Sequence, residues 1–214
     1  MEIIENIITD IPVEKVPKGP ALGKSKKGNY IRLPLQGKNG EGKVMKIDLK
    51  TYAKLGIHGK KVTLQARRYP ALTIDGKLNY IHRLSLGLTK SIYMVDHISG
   101  DTLDNRKHNL RRSTNQQNQW NSKIRKDNKT GYKGAFWSKR EKRYIAKIRL
   151  GDKHSKYLGS YLLPEEAALA YNFASVLVHG SFGRINEKLN LEEISNERRA
   201  EIEKKVFIKV KKFI

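Results

Sequence analysis

The 214-residue sequence contains no cysteine. A disulfide framework is therefore excluded, and so is a zinc site built from cysteine thiolates. The sequence also has no run that approaches the roughly 18 consecutive apolar residues of a membrane-spanning helix, and its first residues lack the apolar core of a signal peptide. We therefore expect an intracellular protein, in the cytoplasm or nucleoid of its host, without a signal peptide or a transmembrane segment.

Acidic residues are scarce relative to basic ones. The 21 Asp and Glu residues stand against 44 Lys and Arg residues, which gives a net charge of +23. Residues 106–149 contain 15 basic and 2 acidic residues, so more than half of the excess charge lies in about a fifth of the chain. Such a surplus predicts a polyanionic partner, which is either nucleic acid or an anionic membrane.

Residues 93–121 combine side chains that are hard to explain as a hydrophobic core. An apolar run ends in Asp96 and His97, and the polar turn residues after it predict a loop. A second short strand follows the loop. Thr114 and Gln117 have the spacing of a capping box, which predicts the start of a helix. The local order is therefore strand, loop, strand, helix.

Four of these side chains suit metal-dependent hydrolysis. Asp96 and the amide oxygen of Asn118 are hard ligands, and two protein oxygens suffice for Mg²⁺ because it usually keeps several waters. His97 titrates near neutral pH and can deprotonate a water molecule. Asn109 is expected to hold the second ring nitrogen of His97 and so fix its tautomer. Since neighbours on a strand point to opposite faces, Asp96 and His97 share a site only if the strand ends or bulges there.

The alternative interpretation is purely structural. A single histidine on a strand is usually a satisfied structural residue, and an aspartate before a turn usually serves the turn. Four residues at this spacing, with a capping box that places the fourth, favour a catalytic site.

The segments VDHISGDTLDNRKHNLR and TNQQNQWN resemble the HNH nuclease motif of phage and intron homing endonucleases. The resemblance implies a small ββα-metal unit with one Mg²⁺ or Mn²⁺ in the active site. It also implies that Asp96 and Asn118 bind the metal, that His97 is the general base and that Asn109 orients the base. The chain departs from the usual family residues only within the loop, at Ser99, Asp101 and His108.

Residues 80–88 have a helical period, and the same nuclease family often has a His-Arg-Leu sequence at this place. Arg83, together with Arg111 and Arg112, is expected to contact phosphate. We interpret His82 as a structural residue, because one base and two ligands are already assigned.

Residues 128–186 have the pattern of a small sheet followed by a helix. Strands are predicted at residues 132–138, 143–150 and 154–161, and a helix at residues 164–178, with proline in its first position and acidic residues in its first turn. The alternation in the second strand is regular. Ala146 and Ile148 share the face that can pack on the helix, and Lys147 and Arg149 lie on the face left open.

This block resembles the DNA-binding domain of plant ethylene-response factors, which is also found in HNH homing endonucleases. The resemblance rests on Gly131-Tyr132-Lys133-Gly134, Tyr157-Leu158-Gly159 and Arg184-Ile185-Asn186. It implies that the sheet lies in the major groove of DNA. Several contact positions differ from the plant proteins, so the plant target sequence is not implied. The expected DNA contacts are Lys133, Phe136, Ser138, Arg140, Lys147, Arg149, Ser155 and Tyr157.

The rest of the chain predicts supporting elements. A hairpin is predicted from the alternation at residues 30–35 and 44–49, a short helix at 48–55 and a strand at 61–68. At the carboxyl end, Asn190 and Glu193 predict the start of a helix, and the alternating run at residues 206–214 predicts a strand.

The predicted fold class is α+β. The expected segments are an N-terminal arm (1–28), a β-rich region (29–79), the nuclease unit (80–121), a linker (122–130), a three-stranded antiparallel sheet packed on one helix (131–187) and a C-terminal extension (188–214).

The predicted function is site-specific, metal-dependent hydrolysis of double-stranded DNA, with no membrane or protein partner and with the chain as a monomer or homodimer. Two other interpretations remain open. One is a DNA-binding regulator with an inactive nuclease unit, and the other is a basic structural protein that associates with RNA.

Overall fold

A computed structural model describes residues 19–88, 92–151 and 154–214. These residues form two compact units that divide between Ser113 and Thr114. The division lies inside the segment 80–121 that the sequence assigns to one nuclease unit. Helices alternate with several small antiparallel sheets, as the predicted α+β class requires. Among the described residues, no helix is long and apolar enough to cross a membrane.

The first unit begins with a three-stranded antiparallel sheet and a short helix. Strands β1 (Ala21–Gly23), β2 (Tyr30–Pro34) and β3 (Val44–Asp48) lie in that order, and helix α1 (Leu49–Lys54) follows directly. The predicted hairpin is confirmed, because β2 pairs with β3 throughout its length. Strand β1 lies inside the expected N-terminal arm, of which residues 1–18 are outside the described residues.

A second antiparallel sheet contains β4 (Thr63–Gln65), β5 (Tyr69–Ile74) and β6 (Lys77–Tyr80). Strand β4 is shorter than the predicted strand at residues 61–68. Ala66 and Arg67 adopt positive φ values of 48° and 55°, so the backbone turns there instead of continuing extended. Helix α2 (Ile81–Ser85) follows β6. Apolar residues of both sheets and of the two helices form one buried cluster, which includes Ile31, Ile47, Leu72 and Ile81.

The predicted strand, loop and strand follow. Strands β7 (Met94–His97) and β8 (Leu110–Ser113) form a two-stranded antiparallel ribbon, and a single 3₁₀ turn (Lys107–Asn109) precedes β8. Val95 and Leu110 pack with Leu88 in a small buried cluster.

The second unit begins with helix α3 (Asn115–Trp120) and continues into a sheet that packs on a helix. Strands β9 (Ala135–Ser138), β10 (Arg143–Arg149) and β11 (Ser155–Tyr161) form an antiparallel sheet in the order β11-β10-β9. Helix α4 (Pro164–His179) covers one face. Its alanines at positions 167, 170 and 174 are fully buried, and such small side chains allow a close approach to the sheet.

The carboxyl end differs from its prediction. Helix α5 (Asn196–Val210) continues through most of the run that predicts a strand, and a 3₁₀ turn (Lys211–Phe213) ends it. The strand prediction is therefore wrong. Ile202, Val206 and Val210 recur every four residues and are buried in the same core as α4, so tertiary packing selects the helical period. Ser195, not Asn190, caps the helix by accepting a hydrogen bond from the Arg198 N–H.

Candidate active site and nucleic-acid interface

The carboxylate of Asp96 is buried and paired with an arginine on the neighbouring strand. Asp96 is 2% exposed and lies directly opposite Arg111 in the β7–β8 register. The Nε and Nη2 atoms of Arg111 donate to Oδ2 of Asp96 at 2.8 and 2.6 Å. Facing residues of an antiparallel pair share one side of the ribbon, which explains why these two side chains meet. The charge-assisted bonds therefore fix the orientation of the carboxylate.

His97 is the last residue of β7 and is also buried, with 4% exposure. Its Nε2 atom lies 3.5 Å from Oδ1 of Asn105. Burial lowers the pKa of His97 below its usual 6.5, although the hydrogen bond to Asn105 and the negative charge of Asp96 act in the opposite direction. The imidazole is therefore neutral at pH 7, which is the form that accepts a proton.

Strand β7 ends at His97 and a loop follows, while Asp96 and His97 are both paired in the β7–β8 register. The Gly100 N–H donates to the His97 carbonyl at 2.7 Å, and Gly100 adopts a φ of 70° that favours glycine. The side-chain amide of Asn109 spans the loop. Its Oδ1 atom accepts from the Ser99 N–H at 2.9 Å, and its Nδ2 atom donates to the Asp104 carbonyl at 2.8 Å. These bonds hold the loop, while the expected contact of Asn109 with His97 stays a prediction.

Asn105 is the residue that the sequence did not assign to the site. It is fully buried, and the Asp104-Asn105 pair predicts only a turn from sequence. Its position depends on strand β3, because the Asn105 N–H donates to the Lys46 carbonyl and the Lys46 N–H donates to the Leu103 carbonyl, both at 2.8 Å. The N-terminal sheet thus positions the partner of His97.

His82 lies on the other side of the His97 ring. Its ring centroid is 5.4 Å from that of His97, and Tyr69 is in ring contact with both. Burial, with the nearby His97 and Arg83, lowers the pKa of His82 to about 3. A neutral, buried ring of this kind supports the structural interpretation of His82. Arg83 donates from Nη1 to the Tyr93 carbonyl at 3.1 Å.

Asn118 lies on α3 in the second unit. The predicted capping box is confirmed, because the Thr114 hydroxyl accepts from the Gln117 N–H and the Gln117 side chain accepts from the Thr114 N–H. Other bonds tie this helix into the second unit. They run from Gln116 to the Leu150 carbonyl, from Arg149 to Gln119, from Lys133 to the Trp120 and Ser122 carbonyls, and from Arg184 to the Asn121 carbonyl.

The carboxylate of Asp96 suits a hard divalent cation that needs few protein ligands. No group of three or more His, Cys, Asp or Glu side chains suited to a metal occurs among the described residues. Mg²⁺ does not need one, because one or two carboxylates with water and phosphate oxygens complete its shell. The carboxylate of Asp96 supplies hard oxygen atoms of the type that Mg²⁺ binds.

Comparisons with known proteins identify a nuclease domain in this part of the chain. Residues 81–120 match the HNH endonuclease family. Protein 3.8 of Escherichia phage T7 is 35% identical over 92 residues, which cover 43% of this chain and 74% of that protein. The chain contains an HNH endonuclease domain and belongs to the family of phage T7 protein 3.8. No solved structure gives a significant match.

In this HNH protein, the face of the sheet opposite α4 is open to solvent. Ala146 and Ile148 are buried against the helix, and the alternating Lys147 and Arg149 are exposed, as the sequence predicts. The register places Phe136 opposite Ile145, Lys147 opposite Tyr157 and Arg149 opposite Ser155. The open face therefore brings together six of the predicted contacts, which are Phe136, Ser138, Lys147, Arg149, Ser155 and Tyr157.

The two aromatic rings of this face are large and half-exposed. Phe136 is 46% and Tyr157 39% exposed. Arg140 is in the β9–β10 turn, where its side chain is largely exposed. Trp137 lies on the other face and contacts Tyr144 with ring centroids 4.9 Å apart.

Lys133, another of the predicted DNA contacts, is half-buried. Its ammonium donates to the carbonyls of Trp120 and Ser122 at 2.6 and 2.7 Å, which is a cap at the carboxyl end of α3. Burial and the charge of Arg184 lower the pKa of Lys133 to about 8. The side chain therefore serves the interior of the second unit.

In the first unit, Arg112 is exposed, unlike its neighbour Arg111.

Proposed function

We propose that this protein is a metal-dependent DNA endonuclease of the homing type in which His97 is the general base. The observation that carries the proposal is the pair of adjacent buried residues Asp96 and His97, each with an orienting partner, inside the segment that matches the HNH endonuclease family. A buried carboxylate beside a neutral imidazole is an arrangement suited to phosphodiester hydrolysis.

The chain's own residues have separate roles in this proposal. His97 takes a proton from the attacking water. When Oδ1 of Asn105 accepts a hydrogen bond from Nε2 of His97, the basic lone pair is on Nδ1, so Asn105 selects the tautomer. Arg111 orients the Asp96 carboxylate, and exposed Arg112 is the better candidate for a phosphate contact.

Asp96 and Asn118 are the residues that would hold one Mg²⁺ or Mn²⁺. A bound divalent cation supplies positive charge that stabilises the phosphate and the leaving 3′ oxygen during hydrolysis. The assignment of Asn118 rests on the sequence resemblance and on its place in the first turns of a capped helix.

The open face of the β9–β11 sheet is the proposed DNA reader, in the manner of the plant ethylene-response-factor domain. Its alternation of Lys147 and Arg149 with the exposed rings of Phe136 and Tyr157 supports this role, because cations bind phosphates and flat side chains contact bases. A three-stranded sheet is also narrow enough to enter the major groove.

Supercoiled plasmid carrying candidate target DNA tests the activity. The proposal predicts nicked or linear product with Mg²⁺ or Mn²⁺ and intact plasmid with EDTA, and mapping the cuts on each strand distinguishes a nickase from a double-strand cutter. Binding to the same DNA without cleavage under any divalent metal would favour a regulator with an inactive nuclease unit. A preference for RNA over duplex DNA in a competition gel shift would favour an RNA-associated protein.

A further inference from the structure

Four lysines line the outer edge of strand β11, and we call Lys156, Lys205, Lys209 and Lys212 the lysine edge. Lys209 donates to the Leu158 carbonyl at 2.9 Å. Its ammonium also lies 4.9 Å from the centre of the Tyr157 ring. The lysine edge thus meets the open face of the sheet at Tyr157, so the two surfaces are continuous.

The other three lysines are held by neighbouring aromatic rings. The ammonium groups of Lys156 and Lys212 lie 6.0 and 5.1 Å from the centre of the Phe213 ring. Lys205 lies 5.7 Å from the centre of the Tyr161 ring. Contacts of this kind restrain long side chains and keep their charge near the surface. Helix α5 therefore supplies two of the four lysines, the 3₁₀ turn after it supplies the third and β11 the fourth.

The lysine edge is a concentration of like charge. Residues 204–214 contain five lysines and no acidic residue. None of the ion pairs formed within the described residues involves any of the four lysines of this edge. Burial lowers the pKa of Lys209, and the charges of Lys205 and Lys156 lower it further. Glu141, which accepts from the Tyr157 hydroxyl at 3.5 Å, is one acidic group near this end of the open face.

We propose that the lysine edge binds the phosphodiester backbone of the DNA duplex whose bases contact the open face of the sheet. This inference rests on the proposed function. Uncompensated cations beside a base-reading surface match the arrangement in which phosphate contacts set the register of a protein on its duplex. The C-terminal helix, besides completing the core, thereby becomes part of the DNA interface.

The test compares two triple variants that lose the same charge. The first is Lys156→Gln/Lys205→Gln/Lys212→Gln, which keeps Lys209 because that side chain also bonds a backbone carbonyl. The matched control is Lys26→Gln/Lys38→Gln/Lys60→Gln, three exposed positions of the first unit. The dissociation constant for duplex DNA is measured from about 50 to 300 mM salt, over the range in which counterion release dominates.

Each lost phosphate contact reduces the slope of log affinity against log salt by about 0.9, so the lysine-edge variant should lose about 2.7 of slope. The slope for the control variant should stay within about 0.5 of the wild-type slope. The corresponding Lys→Arg triple variant should restore the slope. If the Gln triple variant unfolds at a lower temperature, the single Lys212→Gln variant should still reduce the slope of log affinity against log salt by about 0.9.

The failure of this inference differs from the failure of the proposed function. Equal slopes for the wild type and the lysine-edge variants, with duplex binding intact, would overturn the inference alone. A wild-type protein that does not bind duplex DNA at any salt concentration would overturn both.

Discussion

The imidazole rings of His82 and His97 meet edge to face, with their centroids 5.4 Å apart and an interplanar angle of 65°. They come from different elements, since His82 lies in α2 and His97 ends β7. The Nδ1 atom of His82 is buried and has no hydrogen-bond partner among the described residues. A charged His82 would therefore be poorly solvated and would face a second imidazole, so the folded protein keeps it neutral.

The buried His82 predicts a loss of stability in acid. Its folded pKa of about 3 is below the unfolded value of 6.5, so at pH 7 it is neutral in both states. As the pH falls below 6.5, His82 becomes protonated in the unfolded chain but stays neutral in the folded protein. The free energy of unfolding should thus fall by about 1.4 kcal/mol per pH unit from this residue alone. Urea unfolding at several pH values between 7.5 and 4.5 measures the effect.

In a His82→Leu variant, the free energy of unfolding should fall less steeply across the same pH range, because leucine has no group that is protonated only in the unfolded state. Exposed His58 of the same unit provides the control for removing an imidazole, as His58→Gln. Identical pH slopes for His82→Leu and the wild type would contradict the burial argument.

Arg111 and Arg112 are neighbours with opposite expected effects. Removing the Arg111 side chain leaves the buried Asp96 carboxylate without its ion-pair partner, so Arg111→Ala should lower the free energy of unfolding by about 3 kcal/mol. Arg112 is exposed, and Arg112→Ala should change it by less than about 0.5 kcal/mol. Thermal or urea unfolding of the two variants checks this. Equal losses would mean that the Asp96–Arg111 pair does not stabilise the fold.

Lys133 and Lys147 form a second matched pair. Lys133 caps α3 from within the second unit, so Lys133→Gln should cost about 1–3 kcal/mol of stability. Lys147 is exposed on the open face, so Lys147→Gln should leave stability unchanged and reduce the salt slope of DNA binding by about 0.9. Unfolding curves and salt-dependent binding isotherms on both variants separate the two roles. A Lys133→Gln variant of wild-type stability with a reduced salt slope would place Lys133 in the DNA interface after all.

Local patterns in the sequence predict much of this structure. The Thr114–Gln117 capping box depends on four consecutive residues, and the buried and open faces of β10 follow from the two-residue period of a strand. Such features need no knowledge of distant parts of the chain, which is why the confirmed predictions are of this kind.

Features that depend on tertiary contacts could not be predicted from the sequence. The pairing of Asp96 with Arg111 requires the register across a long loop, and the place of Asn105 requires its bonds to strand β3. The run at residues 206–214 alternates like a strand but also repeats every four residues, and only burial of Val206 and Val210 in the core shared with α4 selects the helix.

The most direct test of the proposed mechanism is cleavage and binding by His97→Ala, measured side by side on the same duplex. If His97 is the general base, the cleavage rate with Mg²⁺ or Mn²⁺ should fall by about 10²–10⁴-fold. DNA affinity should stay within about 2-fold of the wild type, because the affinity comes mainly from the cations of the second unit. A variant that cleaves at the wild-type rate, or that loses binding as severely as cleavage, would contradict this role of His97.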